Sequence, residues 1–143
     1  LNTHMDLDLD LALKQTNENP VYYVQYAHAR INSIFNTAES KGFDVSNLPT
    51  KFTTLTGEKT FELVSLLGGF TDALRQSAIQ RAPHKITNYT NTLASAFHSF
   101  YNDEQVISTD HLKTMERLAL LNATKTILKI ALDLVGVSAP NKM

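Results

Sequence analysis

Hydrophobic residues recur at helical spacing through most of the chain. From Asn19 to Gly42 they fall three and four residues apart, as in a helix that buries one face. Asn19 can cap the free amides, Pro20 suits the first helical position, and Gly42 suits a helix end. The pattern therefore predicts a helix over residues 20–40 whose core-facing stripe is Val24, Ala27, Ile31, Ile34 and Phe35.

Two shorter helices are predicted beyond a loop at residues 43–57, which is rich in threonine. The first covers residues 58–68, and three of its apolar residues are expected to face inward: Phe61, Val64 and Leu67. The next is capped by Thr71 and ends before Pro83, because the residue before a proline disfavours helical geometry.

A fourth helix is predicted after Pro83, with one apolar stripe made of Ile86, Tyr89, Leu93, Ala96, Phe97 and Phe100. A fifth ends at Gly136 and has an N-cap among Ser108, Thr109 and Asp110. From residue 118 to 135 this last helix is apolar nearly all round, which is typical of a helix inside a bundle. The predicted fold is an all-α bundle of about five helices.

The head of the chain has a different pattern. Residues 5–13 alternate apolar and charged side chains with period two, which predicts a short, half-buried strand. No second strand is predicted to pair with it. We therefore interpret residues 1–19 as a connector from a preceding domain and residues 20–143 as the helical bundle, so that the sequence is expected to be a fragment of a longer protein.

Charge is nearly balanced, with 13 basic and 14 acidic side chains among 143 residues. Residues 1–19 hold four acidic side chains against Lys14 alone, which leaves 12 basic and 10 acidic side chains in residues 20–143. A large basic field of the kind that binds duplex nucleic acid is absent. Any nucleic-acid contact is expected to be small and local.

The residue types do not indicate catalysis or metal binding. There is no cysteine, and the five histidines include no pair four residues apart, so no metal site is expected. No spacing suggests a nucleophile with a base, and no apolar run approaches the roughly 20 residues of a membrane span. We expect His28 and His98 to be hydrogen-bonded within the bundle, and we expect solvated faces at Lys125, Lys129, Arg75, Arg81 and Lys85.

The most unusual stretch is NPVYYVQYAHARI, residues 19–31, which places three tyrosines and an arginine on one helix. Tyr23, Tyr26 and Arg30 lie at i, i+3 and i+7, so they share a stripe beside the core-facing stripe. Such rings either pack at the edge of the core or hold flat, hydrogen-bonding partners such as nucleotide bases. Tyr22 is expected to serve packing.

Residues 19–31 resemble the opening helix of the anticodon-binding domain of arginyl-tRNA synthetases, which are class I enzymes. Two further blocks agree in the same order: PHKITNYTNTLASAFHSFYN, residues 83–102, and GVSAPNKM, residues 136–143. The head, NTHMDLDLDLA, resembles the segment that joins the catalytic domain to this bundle. Asn141 and Lys142 stand where the family usually has Glu-Arg, and the letters DALR at residues 72–75 match the name of the domain class by chance.

The resemblance implies an anticodon-binding surface made of Tyr23, Tyr26, Arg30, Tyr101 and Met143. It also implies a cytoplasmic, monomeric synthetase that joins arginine to its tRNA with ATP and magnesium. The HIGH and KMSK signatures of the catalytic domain do not occur in this sequence. This chain is therefore expected to bind arginine tRNA, to need no cofactor, to contact the catalytic domain of the same protein, and to catalyse nothing alone.

The genetic code narrows what such a surface should read. All arginine codons have a central G, so every matching anticodon has a central cytosine. The resemblance places Tyr101 and Met143 around the pocket for this base, with methionine as an adaptable apolar lid. The terminal carboxylate could accept a hydrogen bond from the base amino group. An alternative is a helical protein-interaction module that uses exposed tyrosines.

Overall fold

The computed structural model describes residues 8–143, and within this range the chain is all-α with no strand. Helices account for most of the described residues, as the hydrophobic pattern predicts. Their bounds are α1 Leu9–Leu13, α2 Pro20–Ser40, α3 Glu58–Gly68, α4 Phe70–Ile79, α5 His84–Asp103 and α6 His111–Leu134.

Helix α2 has the predicted bounds and the predicted inner face. The side-chain Oδ1 of Asn19 accepts hydrogen bonds from the amides of Val21 at 3.1 Å and Tyr22 at 3.5 Å. The helix ends at Ser40, and Gly42 follows with a φ of 85°, a conformation that a side chain would strain. The stripe predicted to face the core is buried along its whole length: Val24, Ala27, Ile31, Ile34 and Phe35.

The strand predicted at residues 5–13 is wrong where the structure describes it, because residues 9–13 form α1. Residues 5–7 lie outside the described part of the chain. Asp8 caps the helix by accepting the amide of Leu11 at 2.9 Å, and Asn19 Nδ2 donates to the carbonyls of Ala12 at 3.0 Å and Lys14 at 2.9 Å. These caps satisfy backbone groups that a lone strand would leave without partners.

Helix α3 faces the core with residues other than those predicted. Leu63 is fully buried, whereas Phe61 is 73% exposed and Val64 is 45% exposed. Leu67 does pack against the core. The apolar residues of this helix spread over more than half of its circumference, so its periodicity could not single out the part that meets α5.

Helix α4 begins at Phe70, so the predicted cap Thr71 lies inside the helix and caps nothing. Gly69 is the only residue between α3 and α4, and no side-chain hydrogen bond caps either helix. The chain leaves α4 at Ile79, ahead of Pro83, as predicted. Arg81 adopts a φ of 49°, which marks the sharp turn into α5.

Helices α5 and α6 complete the core. Helix α5 packs against α2, α3, α4 and α6, and α6 packs against α2, α3 and α5. Asp110 is the cap of α6, since its Oδ1 accepts the amide of Lys113 at 3.0 Å. Five of the six predicted stripe residues of α5 are buried, and Tyr89 is half-buried with its hydroxyl donating to Leu66 O at 2.8 Å. None of the described helices is long and apolar enough to cross a membrane.

The loop between α2 and α3 is irregular, as predicted, and a single buried carboxylate anchors it. Glu116 of α6 is 1% exposed. Its oxygens accept from the amides and hydroxyls of Thr53 and Thr54 at distances between 2.7 and 3.1 Å. Burial raises the pKa of Glu116, but these four hydrogen bonds outweigh burial and lower the pKa to about 2.

Candidate nucleic-acid interface

The tyrosine stripe of α2 lies at the edge of the bundle, beside α5. Tyr23, Tyr26 and Arg30 are each half-buried, so their rings and guanidinium are held by neighbours and still reach solvent. This is the placement that the helical spacing predicts for a stripe next to the core-facing one. Tyr22, which was expected to serve packing, is half-buried on the same side.

Aromatic rings from α2 and α5 stack along this edge. The rings of Tyr22 and Tyr26 have centroids 6.5 Å apart and are inclined by 8°. Tyr26 also stacks on the imidazole of His98, with centroids 5.7 Å apart at 20°. Tyr23 also contacts His98, at 4.9 Å and a tilt of 45°. Tyr26 is therefore held by contacts with two rings.

Arg30 connects this stack to Tyr101 of α5. Its Nη2 donates to the Tyr101 hydroxyl at 3.0 Å, and its Cζ lies 4.9 Å from the centroid of the Tyr101 ring. The distance to the ring is within the range of a cation–π contact. The guanidinium has further N–H donors beyond this hydrogen bond, so it can still bind a phosphate or a base edge.

Arg30 also borders two hollows in the surface. One has a volume of about 340 Å³ and is lined by Tyr26, Ala29, Arg30, Ser33, Asn36, Asn141, Lys142 and Met143. The other has about 400 Å³ and is lined mainly by Arg30, Ser33, Tyr101, Glu104, Gln105 and Ile107. We call these the tail hollow and the α5 hollow. Both are within the roughly 300–1,000 Å³ typical of ligand pockets.

The two histidines near this edge differ in their hydrogen bonding. His28 is buried and bonded to the carbonyl of Pro140 at 2.8 Å, as expected. His98 meets the expectation in part: a backbone hydrogen bond at Tyr23 raises the pKa of its imidazole, but its buried Nε2 has no hydrogen-bond partner among residues 8–143. Burial lowers the pKa of both imidazoles; the charge of Arg30 further lowers the pKa of His98, and that of Lys125 further lowers the pKa of His28.

The structure brings together most of the residues predicted for the site. Tyr26, Arg30 and Met143 meet in the tail hollow, and Tyr101 joins them only through Arg30, in the α5 hollow. Tyr101 and Met143 therefore do not line one pocket. Tyr23 reaches the stack through its contact with His98. Sequence reasoning missed His98 itself as a support for the stack. The signal available was its spacing, since His98 lies three residues before Tyr101 on α5.

Arg75, Arg81 and Lys129 are exposed as expected, whereas Lys85 and Lys125 are half-buried. Lys129 pairs with Asp133 at 2.8 Å on the surface. The ammonium of Lys125 lies 4.7 Å from the Phe35 ring centroid and donates to Asn32 Oδ1 at 3.3 Å.

Comparison with known protein families shows which family the chain belongs to. The DALR anticodon binding domain matches residues 24–143, which is most of the chain. The chain belongs to the DALR anticodon-binding domain family. The matched segment contains Tyr26, Arg30, Tyr101 and Met143, and it excludes Tyr23 by a single residue.

Curated relatives of this anticodon-binding domain are arginine–tRNA ligases. The ligase of Bacillus pumilus (strain SAFR-032) is 50% identical over 142 residues, which cover 99% of this chain and 26% of the relative. The ligase of Bacillus subtilis (strain 168) is 50% identical over 143 residues, with the same coverage of both chains. The chain thus spans about a quarter of the length of these curated relatives.

Solved structures agree with the fold. A Campylobacter jejuni protein designated an arginyl-tRNA synthetase matches 99% of this chain and 30% of its own length, with a TM-score of 0.85 and 30% identity. The arginyl-tRNA synthetase of Thermus thermophilus matches 97% of this chain and 24% of its own length, with a TM-score of 0.74 and 28% identity. The six-helix arrangement is therefore that of a domain within synthetases.

Proposed function

We propose that this domain binds the anticodon loop of arginine tRNA, as the carboxyl-terminal part of an arginine–tRNA ligase. The observation that carries the proposal is the position of Arg30 between two hollows, with a fixed Tyr26 ring at the first and the Tyr101 ring at the second. Consecutive bases of a splayed loop could enter the two hollows while Arg30 contacts the backbone between them. The family to which the chain belongs supports this assignment.

Stacking supplies the affinity that a nearly neutral domain cannot obtain from charge. Single-stranded RNA is bound by splaying its bases onto aromatic rings, and each stacked base contributes about 1–3 kcal/mol. Tyr26 is already held by contacts with the rings of Tyr22 and His98, so little side-chain entropy remains to be lost on binding. Arg30 and Lys142 both line the tail hollow and provide local positive charge for a phosphate.

The tail hollow is the better place for the central cytosine. It combines the Tyr26 ring and the Met143 side chain, which can cover both faces of a base, with the amide groups of Asn36 and Asn141. Cytosine presents an amino donor beside two acceptors, and amides can satisfy both kinds of group. Uracil presents an acceptor where cytosine has its amino donor, so an acceptor at that point would discriminate between the two bases.

The complete enzyme would join arginine to its tRNA in the cytoplasm, acting as a monomer. ATP and magnesium would bind the catalytic domain, whose HIGH and KMSK signatures do not occur in this sequence. Among residues 8–143, no group of three histidine, aspartate or glutamate side chains is placed to hold a metal ion. The role proposed for this chain is to fix the anticodon loop so that the acceptor end reaches the catalytic domain.

Titration with two labelled anticodon stem-loops tests the proposal. One carries the central cytosine and the other carries uracil at that position. We expect tighter binding of the cytosine stem-loop, a loss of affinity in Tyr26→Ala, and affinity that falls as salt rises, because RNA binding releases counterions. Phe61→Ala is the matched control, since it removes an aromatic ring that is 73% exposed on α3.

Two results would argue against the assignment. Equal binding of both stem-loops would mean that this chain by itself does not distinguish cytosine from uracil at the central position. Absence of RNA binding at low salt, with specific binding of a protein through the tyrosine edge, would favour the alternative of a protein-interaction module.

A further inference from the structure

The last eight residues lie against the bundle without forming a helix or strand of their own. Helix α6 ends at Leu134, Gly136 follows with a φ of 74°, and the amide of Val137 donates back to Leu132 O at 2.9 Å. Val137 and Ala139 then pack against the core. Two alternate residues of this tail, both half-buried, thus pack on the core, and the polar groups of the tail are left to be satisfied by side chains.

Helix α2 supplies those side chains from one polar stripe. Gln25 Nε2 donates to the carbonyl of Ser138 at 2.9 Å and to its hydroxyl at 3.2 Å. His28 Nδ1 lies 2.8 Å from Pro140 O, and Asn32 Nδ2 lies 3.3 Å from Asn141 Oδ1. Gln25, His28 and Asn32 occupy i, i+3 and i+7, so the tail follows a single face of α2 for two turns.

The chemistry of each contact fixes its direction. A carbonyl oxygen only accepts, so His28 must carry a proton on Nδ1 and donate it to Pro140. Asn32 is itself held in place, because its Nδ2 donates to His28 O at 3.1 Å and its Oδ1 accepts from Lys125 Nζ at 3.3 Å. The stripe therefore presents oriented donors at fixed intervals, which specify one register of the tail.

We propose that Gln25, His28 and Asn32 form a latch that sets the register of the carboxyl-terminal tail. This latch is a positioning device: it acts on RNA through Asn141, Lys142 and Met143, the last three residues of the tail, which line the tail hollow. A slip of one residue would move Met143 by about 3.5 Å, enough to change which side chain lines the tail hollow at that point. This role in RNA binding rests on the proposed function, whereas the latch itself does not.

Isosteric substitutions can open the latch without creating a cavity. In the Gln25→Glu, Asn32→Asp double variant each side chain keeps its shape but loses its donor N–H groups. Asn122→Asp is the matched control, because it makes the same change at an exposed position of α6. At His28 two variants separate the hydrogen bond from the packing: His28→Asn places an amide N–H near the position of Nδ1, and His28→Leu has no donor.

Two measurements are needed, one with RNA and one without. The 143-residue chain labelled on its methionine methyl groups gives a Met143 NMR signal, identified by its loss in Met143→Leu. We expect this signal to move to its unstructured position in the double variant and in His28→Leu, and carboxypeptidase to remove the tail at least ten times faster. Asn122→Asp and His28→Asn should resemble the wild-type chain. Affinity for the central-cytosine stem-loop should fall at least fivefold wherever the tail is released.

A wild-type Met143 signal in the double variant would overturn the latch. Release of the tail with unchanged stem-loop affinity would overturn its positioning role. Both tail measurements are made without RNA, so they test the latch even where the wild-type chain binds neither stem-loop. That last result would overturn the proposed function instead.

Discussion

Two polar clusters in this protein are built in opposite ways. At the base of the 43–57 loop, the carboxylate of Glu116 is buried and accepts four hydrogen bonds from Thr53 and Thr54. At the α2–α5 edge, Arg30 makes one hydrogen bond to Tyr101, and the buried Nε2 of His98 makes none. The first cluster is complete within the fold. The second has hydrogen-bonding capacity that the fold does not use.

This difference distinguishes a polar cluster that stabilises the fold from one that is available to bind a partner. A buried polar network that is fully satisfied rigidifies a fold, and the Glu116 cluster replaces helix or sheet contacts in a loop that has neither. A buried polar atom without a partner costs about 1–3 kcal/mol, so the Nε2 of His98 does not add to stability as the satisfied oxygens of Glu116 do. The edge also keeps its rings half-exposed, whereas rings that serve the core, such as those of Phe97 and Phe100, are fully buried.

Removing the charge of Glu116 should have the largest effect. Glu116→Gln replaces one acceptor oxygen with a donor NH₂ that faces the N–H and O–H donors of Thr53 and Thr54. We expect the free energy of unfolding to fall by about 2–4 kcal/mol, with the affinity for RNA per folded molecule unchanged. Urea unfolding followed by circular dichroism measures the loss.

Glu62→Gln is the control for this variant, because Glu62 pairs with Lys59 on the surface and should change stability by no more than about 0.5 kcal/mol. Lowering the pH protonates Glu116 and so tests the contribution of its charge to stability without a mutation. The folded pKa of Glu116 is about 2 and its ordinary value is 4.5, so its contribution is present above pH 4.5 and is lost as pH falls towards 2. A variant as stable as the wild type would show that the loop needs no anchor.

Arg30→Met tests the cluster at the α2–α5 edge. It should lower the affinity for RNA and leave stability nearly unchanged, the opposite of Glu116→Gln. The substitution keeps an apolar stem but removes the guanidinium between the two hollows. We expect stem-loop affinity to fall by about 1–3 kcal/mol and to become less dependent on salt, since one phosphate contact is lost. Unfolding should change by less than about 1 kcal/mol. A variant that unfolds easily but binds normally would place Arg30 with the structural cluster.

Tyr101→Phe sharpens the comparison within the edge. It removes the hydroxyl that accepts from Arg30 but keeps the ring 4.9 Å from the guanidinium carbon. We expect affinity to fall by about 0.5–1.5 kcal/mol, less than in Arg30→Met, because only the orientation of the guanidinium is affected. Fluorescence anisotropy with the same stem-loops measures both variants. An effect equal to that of Arg30→Met would mean that the hydroxyl itself contacts RNA.

The smallest expected effect is the pH dependence of the two histidines. Burial, with Arg30 near His98 and Lys125 near His28, lowers both folded pKa values below 6.5. The unfolded chain therefore binds more protons, and stability that is present above pH 6.5 is lost as pH falls through the folded values. The charge of Lys129 also lowers the pKa of His28, whereas the carboxylate of Asp133 and the hydrogen bond to the Pro140 carbonyl raise it.

Urea unfolding at several values between pH 7.5 and pH 5 measures this loss. The slope should be smaller in His98→Asn, which cannot titrate. A stability that is constant over this range would mean that neither imidazole is kept neutral by the fold.

Much of the fold follows from local sequence. The bounds of α2 depend on Asn19, Pro20 and Gly42, and the stripes of α2 and α5 depend on periodicity alone, so each could be predicted from neighbouring residues. The same holds for the shared stripe of Tyr23, Tyr26 and Arg30. The face of α3 could not be predicted, because its apolar residues spread over more than half of the helix and only the position of α5 selects Leu63 over Phe61.

The sequence by itself thus determined the helices, the family resemblance and the tyrosine stripe, because caps, periodicity and motifs are properties of residues close together in the chain. Only the tertiary structure decided that Arg30 meets Tyr101, that His98 supports Tyr26, and that the tail returns to α2. These contacts join residues 71 to 113 positions apart. Helix packing brings such residues together, and no local pattern records which helices will pack.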